Sequence, residues 1–345
     1  MMSNKRVAIL GAGSLGTVMG AVVSKRGGEC ILIDANEAHV KALNEKGAYV
    51  TGYMDLKAMP VTAVTPAEMS GIYDLVFVLT KQTANEKALN NLLPYLDANS
   101  TVCTLQNGIP EEAVAKIVGA ERTIGGTVGW GAGWVEPGVA QLFTKPDHMR
   151  IEIGSLQGAV TERVKEAGEF LKLAGDVDMK ENLAGVRWSK LLMNSALSGM
   201  SAALGCTFGD VIDDDKAVLC AAHVAKELIE VAKVKGVQLE NIVPGYNFYD
   251  LYFTDKAGRD RAVSMLREIY EVHRPQKASM LQDLEKGIPC EIDYINGLVC
   301  QQGDIYGVDT PFNDTIVSIV KAVEAKTAPL SGMENLSKFD IPALS

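Results

Sequence analysis

The 345-residue sequence is short of the groups that mark many other chemistries. Its four histidines, at 39, 148, 223 and 273, show no HExxH or similar ligand spacing, and its six cysteines, at 30, 103, 206, 220, 290 and 300, include no CxxC pair. These patterns argue against a metal site, and they favour reduced core thiols in a cytoplasmic protein over disulfides. Basic residues are outnumbered, 33 against 43 acidic, for a net charge of -10 and a pI near 5.1. That balance argues against binding of nucleic acid or an anionic membrane, although a small anionic substrate responds to the local field of its site. The uncharged stretch 191–209 carries Asn194, Ser195, Ser198, Ser201 and Thr207 between Lys190 and Asp210, a mixture that fits a buried helix rather than a bilayer span. Lys5 and Arg6 before an apolar run resemble a secretory signal, but the run is too rich in glycine and no small-residue cleavage site follows. Internal repeats and low-complexity segments are also lacking.

What is present in quantity is apolar. With 47% hydrophobic and 22% charged residues, a chain of this length can bury two cores, so two domains are expected. The organising stretch is 6–34, RVAILGAGSLGTVMGAVVSKRGGECILID. An apolar, β-branched run at 7–10 reads as a strand buried on both faces, and 31–33 reads as a second. Between them, Gly11, Gly13 and Gly16 have the GxGxxG spacing, with Ser14 and Leu15 inside it and Gly20 one helical turn later. The first glycine permits the tight turn, the second lets the backbone approach a pyrophosphate, and the third lets helix and strand pack closely. Unpaired N–H groups at the helix start would receive the diphosphate. Asp34 then ends the second strand where an acid binds the adenosine ribose hydroxyls, which favours NAD over NADP. The other reading of Asp34 is a cap for the helix expected over 37–46, and the two roles are compatible.

Alternation of helix and strand continues, implying a parallel sheet with crossover helices. Strands are expected over 74–80, 101–105 and 123–128, with antiparallel strands at 149–153 and 177–179 completing the sheet. Lys81 and Asn107 directly follow two of these strands, where open α/β sheets bind ligands. The alternatives are an exposed lysine and an asparagine taking a left-handed turn before Gly108. The segment 129–138, GWGAGWVEPG, is either a lid or a turn whose tryptophans cover the core. From about residue 182 the pattern is helical: 183–204, 216–235, 259–272, 279–286, 291–306 and 311–325. The fold class expected is therefore α/β, an N-terminal Rossmann dinucleotide-binding domain over 1–180, then an all-helical substrate and catalytic domain over 181–330. A tail, 331–345, has little periodicity and is expected to be mobile.

Lys190, Asn194 and Ser198 lie at i, i+4 and i+8, so one helix presents an amine, an amide and a hydroxyl along one face. Read alone, such a stripe serves equally well as a structural hydrogen-bond network. Ser279 and Asp283 make a second i, i+4 pair, and Glu291 opens the next helical segment.

GAGSLG at 11–16, TKQ at 80–82, QNG at 106–108, WSKLLMN at 188–194, SMLQD at 279–283 and EIDYING at 291–297 together resemble the ketopantoate reductase (2-dehydropantoate 2-reductase) family. The resemblance runs to about residue 325. It implies reduction of a 2-oxo acid to a D-2-hydroxy acid, by default 2-dehydropantoate to pantoate, in a cleft between the two domains with NAD or NADP. It further implies Lys190 as general acid, Glu291 as the carboxylate that orients it, and Ser279, Asn107 and Asn194 as substrate contacts. Lys81 matches a lysine near the nicotinamide ribose, and Asp283 a further residue of the cleft. Ser198 stands where the family pattern repeats an asparagine, and Asp34 where many members carry a basic residue for the NADP phosphate. Both departures resemble an NAD-dependent D-2-hydroxyacid or D-mandelate dehydrogenase branch. A non-catalytic dinucleotide sensor is the reading from another class, and the intact pair Lys190 and Glu291 argues against it. The long apolar helical domain makes a homodimer plausible.

Overall fold

The computed structural model describes residues 5–342. The chain divides after Leu183 into two compact units.

The first is built on an eight-stranded sheet, in the spatial order β12-β11-β8-β7-β6-β1-β2-β5. Its strands are β1 (Val7–Leu10), β2 (Ile31–Ile33), β5 (Thr62–Val64), β6 (Leu75–Val78), β7 (Thr101–Thr104), β8 (Thr123–Val128), β11 (Arg150–Ser155) and β12 (Asp176–Lys180). β5 to β8 run parallel through β1, while β11 pairs antiparallel with β8 and β12 parallel with β11. The pleat sends alternate residues of β1 into different cores, Val7 and Ile9 to one face, Ala8 and Leu10 to the other. Helices α1 (Ser14–Lys25), α2 (Glu37–Lys46) and α5 (Glu162–Leu171) cover the first face, and α3 (Asn85–Leu92) and α4 (Glu111–Val118) the second. Burial on both sides is why β1 (VAIL) and β6 (LVFV) are continuous apolar runs, whereas the outer β12 (DVDMK) is largely exposed and alternates.

A four-stranded sheet lies outside the expected pattern. It orders β4-β3-β10-β9, from β3 (Ala48–Gly52), β4 (Leu56–Met59), β9 (Ala132–Glu136) and β10 (Val139–Leu142), and packs on α1. The tryptophan-rich segment is thus a hairpin, turning at Gly138 with φ 84°. Trp130 is buried in the core, and the Trp134 ring lies 4.6 Å from that of His39.

In the second unit the expected helix over 183–204 is interrupted. It consists of α6 (Leu183–Met193), a π-turn at Asn194–Ser198, and α7 (Gly199–Leu204). A short α8 (Phe208–Asp213) follows, then the long α9 (Asp215–Lys235), started by the Asp214 carboxylate accepting from Lys216 and Ala217 N–H and ended by left-handed Gly236. The remaining helices are α10 (Lys256–Tyr270), α11 (Ser279–Glu285), α12 (Asn296–Tyr306) and α13 (Pro311–Glu324). The helix expected from Glu291 starts later, because Ile292–Tyr294 forms a 3-10 turn and Ile295, at φ -112° and ψ -95°, breaks the path before α12. Inside this unit the Glu227 carboxylate of α9 caps α13 by accepting from the N–H groups of Phe312 and Asn313 and from Asn313 Nδ2. Burial pushes this carboxyl up to about 7 against those three bonds.

The stretch after Pro329, expected as a mobile tail, is packed onto the second unit in its described part. Asn335 Nδ2 donates to Ala203 O at 3.0 Å, and the Phe339 ring stacks on Phe312. A short 3-10 turn, Met333–Lys338, carries these contacts, and such a turn has no periodic signature in sequence. Among the described residues, no helix is long and apolar enough to cross a membrane, and no group of three metal-ligating side chains occurs.

Candidate functional site

In the first unit the glycine turn joins β1 to α1, and its three glycines answer to three different constraints. Gly11 has φ 100°, and a Cβ there would lie 2.5 Å from Thr80 N. A Cβ on Gly16 would strike the Gly11 carbonyl oxygen. A Cβ on Gly13 would meet nothing within 4 Å, so that side of the turn opens to space a diphosphate can occupy. Gly13, Ser14 and Leu15 are half-buried along this lip. Helix α1 starts there without a capping side chain and without an acid in its first turn, so its N–H groups and positive dipole end suit an anion. These residues fit the diphosphate of a dinucleotide.

Asp34 follows β2, next to the turn, since Gly11 N–H bonds Ile33 O at 2.8 Å. The cap of α2 is Asn36, whose Oδ1 accepts from His39 N–H at 3.1 Å. The helix-cap reading of Asp34 is thereby corrected: Asp34 Oδ1 accepts from Asn36 N–H at 2.9 Å in a turn that precedes the helix.

Lys81 and Asn107 emerge from the carboxyl ends of β6, which pairs with β1, and of β7, the next strand out. Their loops are tied together. Gln82 Nε2 donates to Asn107 O at 2.7 Å, and Gln106 Nε2 donates to Thr80 O at 2.7 Å and to Asn85 Oδ1 at 2.6 Å. Gly108, at φ 75°, takes the left-handed conformation, so Asn107 does not need it and its side chain is placed by the turn instead. Lys81 and Asn107 are both half-buried, whereas Gln82 and Gln106 are buried and hold the loops.

His39 was not expected to matter. It is fully buried, its Nδ1 accepts from Gly138 N–H at 2.9 Å, and Nε2 therefore carries the proton it shares with Ala12 O at 2.7 Å. Thr17 Oγ1 donates to the same carbonyl at 2.6 Å. The imidazole so joins the middle of the glycine turn to the hairpin of the second sheet. Its sequence signal was a lone histidine on the buried face of α2, beside Val40 and Leu43.

In the second unit Lys190, Asn194 and Ser198 recur at four-residue intervals along α6 and the π-turn. All three are half-buried, while Leu191, Leu192, Ser195, Ala196 and Leu197 between them are buried. A largely buried helix, with Met193 also half-buried beside them, thus leaves these three polar residues partly accessible. Ser279 is exposed as the first residue of α11, and its hydroxyl is not spent on a cap. Asp283 and Glu291 are buried carboxylates, at 6% and 7% exposure, which burial tolerates only when they are partnered. A further residue escaped the sequence reading: His273 carries the Lys190 charge in its surroundings. Burial first, and the Lys190 charge next, hold its imidazole below the usual histidine range. Its Nδ1 lies 3.2 Å from Gln276 Nε2, and its ring packs edge-on to Tyr270.

Family models match both parts of the chain: that described as ketopantoate reductase PanE/ApbA matches residues 7–158, and that of the same family's C-terminal part matches residues 182–324. The chain is 29% identical to the 2-dehydropantoate 2-reductase of Pyrococcus horikoshii, over 93% of its own length and 98% of the relative's. It is 28% identical to that of Lactococcus lactis, over 92% and 98%. Among solved structures, a ternary structure of D-mandelate dehydrogenase with NADH and anilino(oxo)acetate is similar with a TM-score of 0.80 and 26% identity, over 93% of this chain and 99% of that one. The 2-dehydropantoate 2-reductase of Geobacter metallireducens is similar with a TM-score of 0.76 and 27% identity, over 92% and 99%.

Proposed function

The chain belongs to the ketopantoate reductase family, and on that premise we propose that it reduces a 2-oxo acid to a D-2-hydroxy acid, with 2-dehydropantoate as default substrate and pantoate as product. The observation that carries this reading is the half-buried polar set Lys190, Asn194 and Ser198 on a largely buried helix, in a chain whose other unit ends its first strand in an uncapped glycine turn.

The cofactor is a nicotinamide dinucleotide, NAD(P). When bound, its reduced ring supplies a hydride to C2 of the oxo acid. As that carbon is reduced, the carbonyl oxygen gains negative charge, and Lys190 Nζ donates the proton that quenches it. Glu291 orients the ammonium and keeps it protonated between turnovers. Asn194, Ser198, Ser279 and Asn107 supply hydrogen bonds to the carboxylate and hydroxyl groups of the substrate. The turn Gly11, Gly13, Ser14, Leu15 and Gly16 binds the diphosphate, Asp34 the adenosine ribose, and Lys81 the nicotinamide ribose. Metal chemistry has no part in the scheme, since a positioned ammonium does the work of a Lewis acid on the carbonyl oxygen.

Two observations favour a second reading, an NAD-dependent D-2-hydroxyacid dehydrogenase of the D-mandelate type. Ser198 removes an amide that could reach a substrate hydroxyl, and Asp34 repels the extra phosphate of NADP. The similarity to the D-mandelate dehydrogenase holding NADH points the same way. A panel of 2-oxo acids separates the two. With NADH and with NADPH, initial rates on ketopantoate should exceed those on benzoylformate at least about tenfold in kcat/KM, the scale of one lost or gained pocket contact. The reverse order would make the D-mandelate type the correct reading.

A further inference from the structure

The π-turn at Asn194–Ser198 has a geometric purpose that follows from helix periodicity. An α-helix advances about 100° per residue, so each i+4 step overshoots by about 40° and two steps by about 80°. Continued as α-helix, the chain would carry Ser198 away from the line of Lys190. A turn closed from i to i+5 advances less per residue and brings the third position back. In the structure Gly199 N–H reaches Asn194 O, five residues back, and also Ala196 O, while Ser198 is half-buried like Lys190 and Asn194.

Such a turn has a cost. Gly199 N–H is the ordinary α-helical partner of Ser195 O, and in the widened turn it is shared between Asn194 O and Ala196 O instead. Asn296, the first residue of α12 and fully buried, supplies a donor: its Nδ2 bonds Ser195 O at 3.0 Å. The second hydrogen on Nδ2 goes to Asn313 Oδ1 at 2.9 Å, and Asn313 Nδ2 in turn donates to the Glu227 carboxylate at 2.7 Å. The amide orientation is therefore fixed, since reversing it would face its oxygen toward two acceptors. Its Oδ1 is left with no hydrogen-bond partner among the described residues, a penalty that needs a compensating role. Gly199 makes the approach possible, because a Cβ at that position would lie 2.6 Å from Asn296 Oδ1 and 2.8 Å from Nδ2. On the other side of the turn, Tyr270 Oη donates to Met193 O at 2.7 Å.

We propose that Asn296 is a positioning residue for the reaction: through the Ser195 carbonyl, and with Gly199 leaving room for its amide, it holds the widened turn that aligns Asn194 and Ser198 with Lys190. This rests on the reading of Asn194 and Ser198 as substrate contacts. A residue that only stabilised the unit would alter its melting temperature and leave the kinetic constants of the folded enzyme alone.

Steady-state kinetics on three variants of the full chain test it, with ketopantoate and benzoylformate as the oxo acids and NADH affinity followed by fluorescence. Asn296→Ala is expected to raise KM for the oxo acid about tenfold, within the range that misplacement of a binding group by a fraction of an ångström produces, with NADH affinity unchanged. Gly199→Ala should do the same, and the double variant should be no worse than either single one, because both act on one amide. Folded Asn296→Ala with an unaltered KM for the oxo acid would overturn the proposal. So would an equal loss of NADH and oxo-acid binding. If Asn296→Ala does not fold, Gly199→Ala decides on the same criteria, and failure of both to fold assigns the amide a structural role and overturns the proposal as well. Asn194→Ala separates this from the underlying reading: if it leaves the oxo-acid KM unchanged, the assignment of the half-buried polar set to substrate fails, whatever Asn296 does.

Discussion

Lys190→Ala is expected to lower kcat at least about a hundredfold, the usual lower scale for removal of a proton donor, which corresponds to about 2.7 kcal/mol of transition-state stabilisation. Hydride arriving at C2 converts a neutral carbonyl oxygen into an alkoxide, and an unneutralised alkoxide in a partly desolvated site is costly. Lys190 sits half-buried on a largely buried helix, and its charge together with burial holds the His273 imidazole below the usual histidine range. NADH affinity should be unchanged in this variant, because the diphosphate and adenosine contacts proposed above lie in the first unit. Stopped-flow measurement of NADH oxidation would separate chemistry from binding. Turnover within about threefold of the parent would contradict the assignment of Lys190 as the acid, since general acid catalysis contributes far more than that.

The second large effect concerns the choice of cofactor. The unmodified protein should prefer NADH over NADPH by at least about a hundredfold in kcat/KM, because a carboxylate facing a phosphate brings like charges together at a cost of several kcal/mol. Asp34→Ser should narrow the gap by about tenfold, chiefly by improving NADPH, as the repulsion is removed while a hydroxyl still serves the ribose. The structure sharpens what a failure would mean. Since Asn36 caps α2, Asp34 has no capping duty that the substitution would disrupt, so a change in the NADPH to NADH ratio is not a by-product of a frayed helix. Equal use of both dinucleotides by the unmodified protein would remove Asp34 from the ribose.

How far the molecule could be read from its residues varied with the physics of each part. Strands β1, β2 and β6 were legible because burial on both faces demands apolar runs, β7 and β8 because their short buried runs recur between helices, and the glycine turn because Gly11 and Gly16 leave no room for a Cβ while Gly13 faces open space. The second sheet was not legible. Its strands are short and half-exposed, β4 reads LKAM and β9 reads AGWVE, and neither continuous nor alternating burial marks them. The polar stripe from Lys190 was found from an i+4 rule, yet the rule says nothing of the extra backbone width at Asn194–Ser198 that keeps the stripe straight. That width depends on Asn296, about a hundred residues downstream in sequence, and contacts at such separation leave no local trace. His39 was missed for a related reason. Its importance lies in two backbone groups, Ala12 O and Gly138 N, and backbone partners have no sequence identity to detect.

The most direct test follows the hydride itself. NADH carrying deuterium at both C4 positions is incubated with the protein and the favoured 2-oxo acid, and the product is examined by proton NMR and by chiral chromatography. A 2-hydroxy acid with one deuterium at C2, entirely of the D configuration and formed in step with NADH consumed, is the predicted result. NADH binding without deuterium in any 2-hydroxy acid across the panel would contradict it and leave a dinucleotide-sensing protein as the better description.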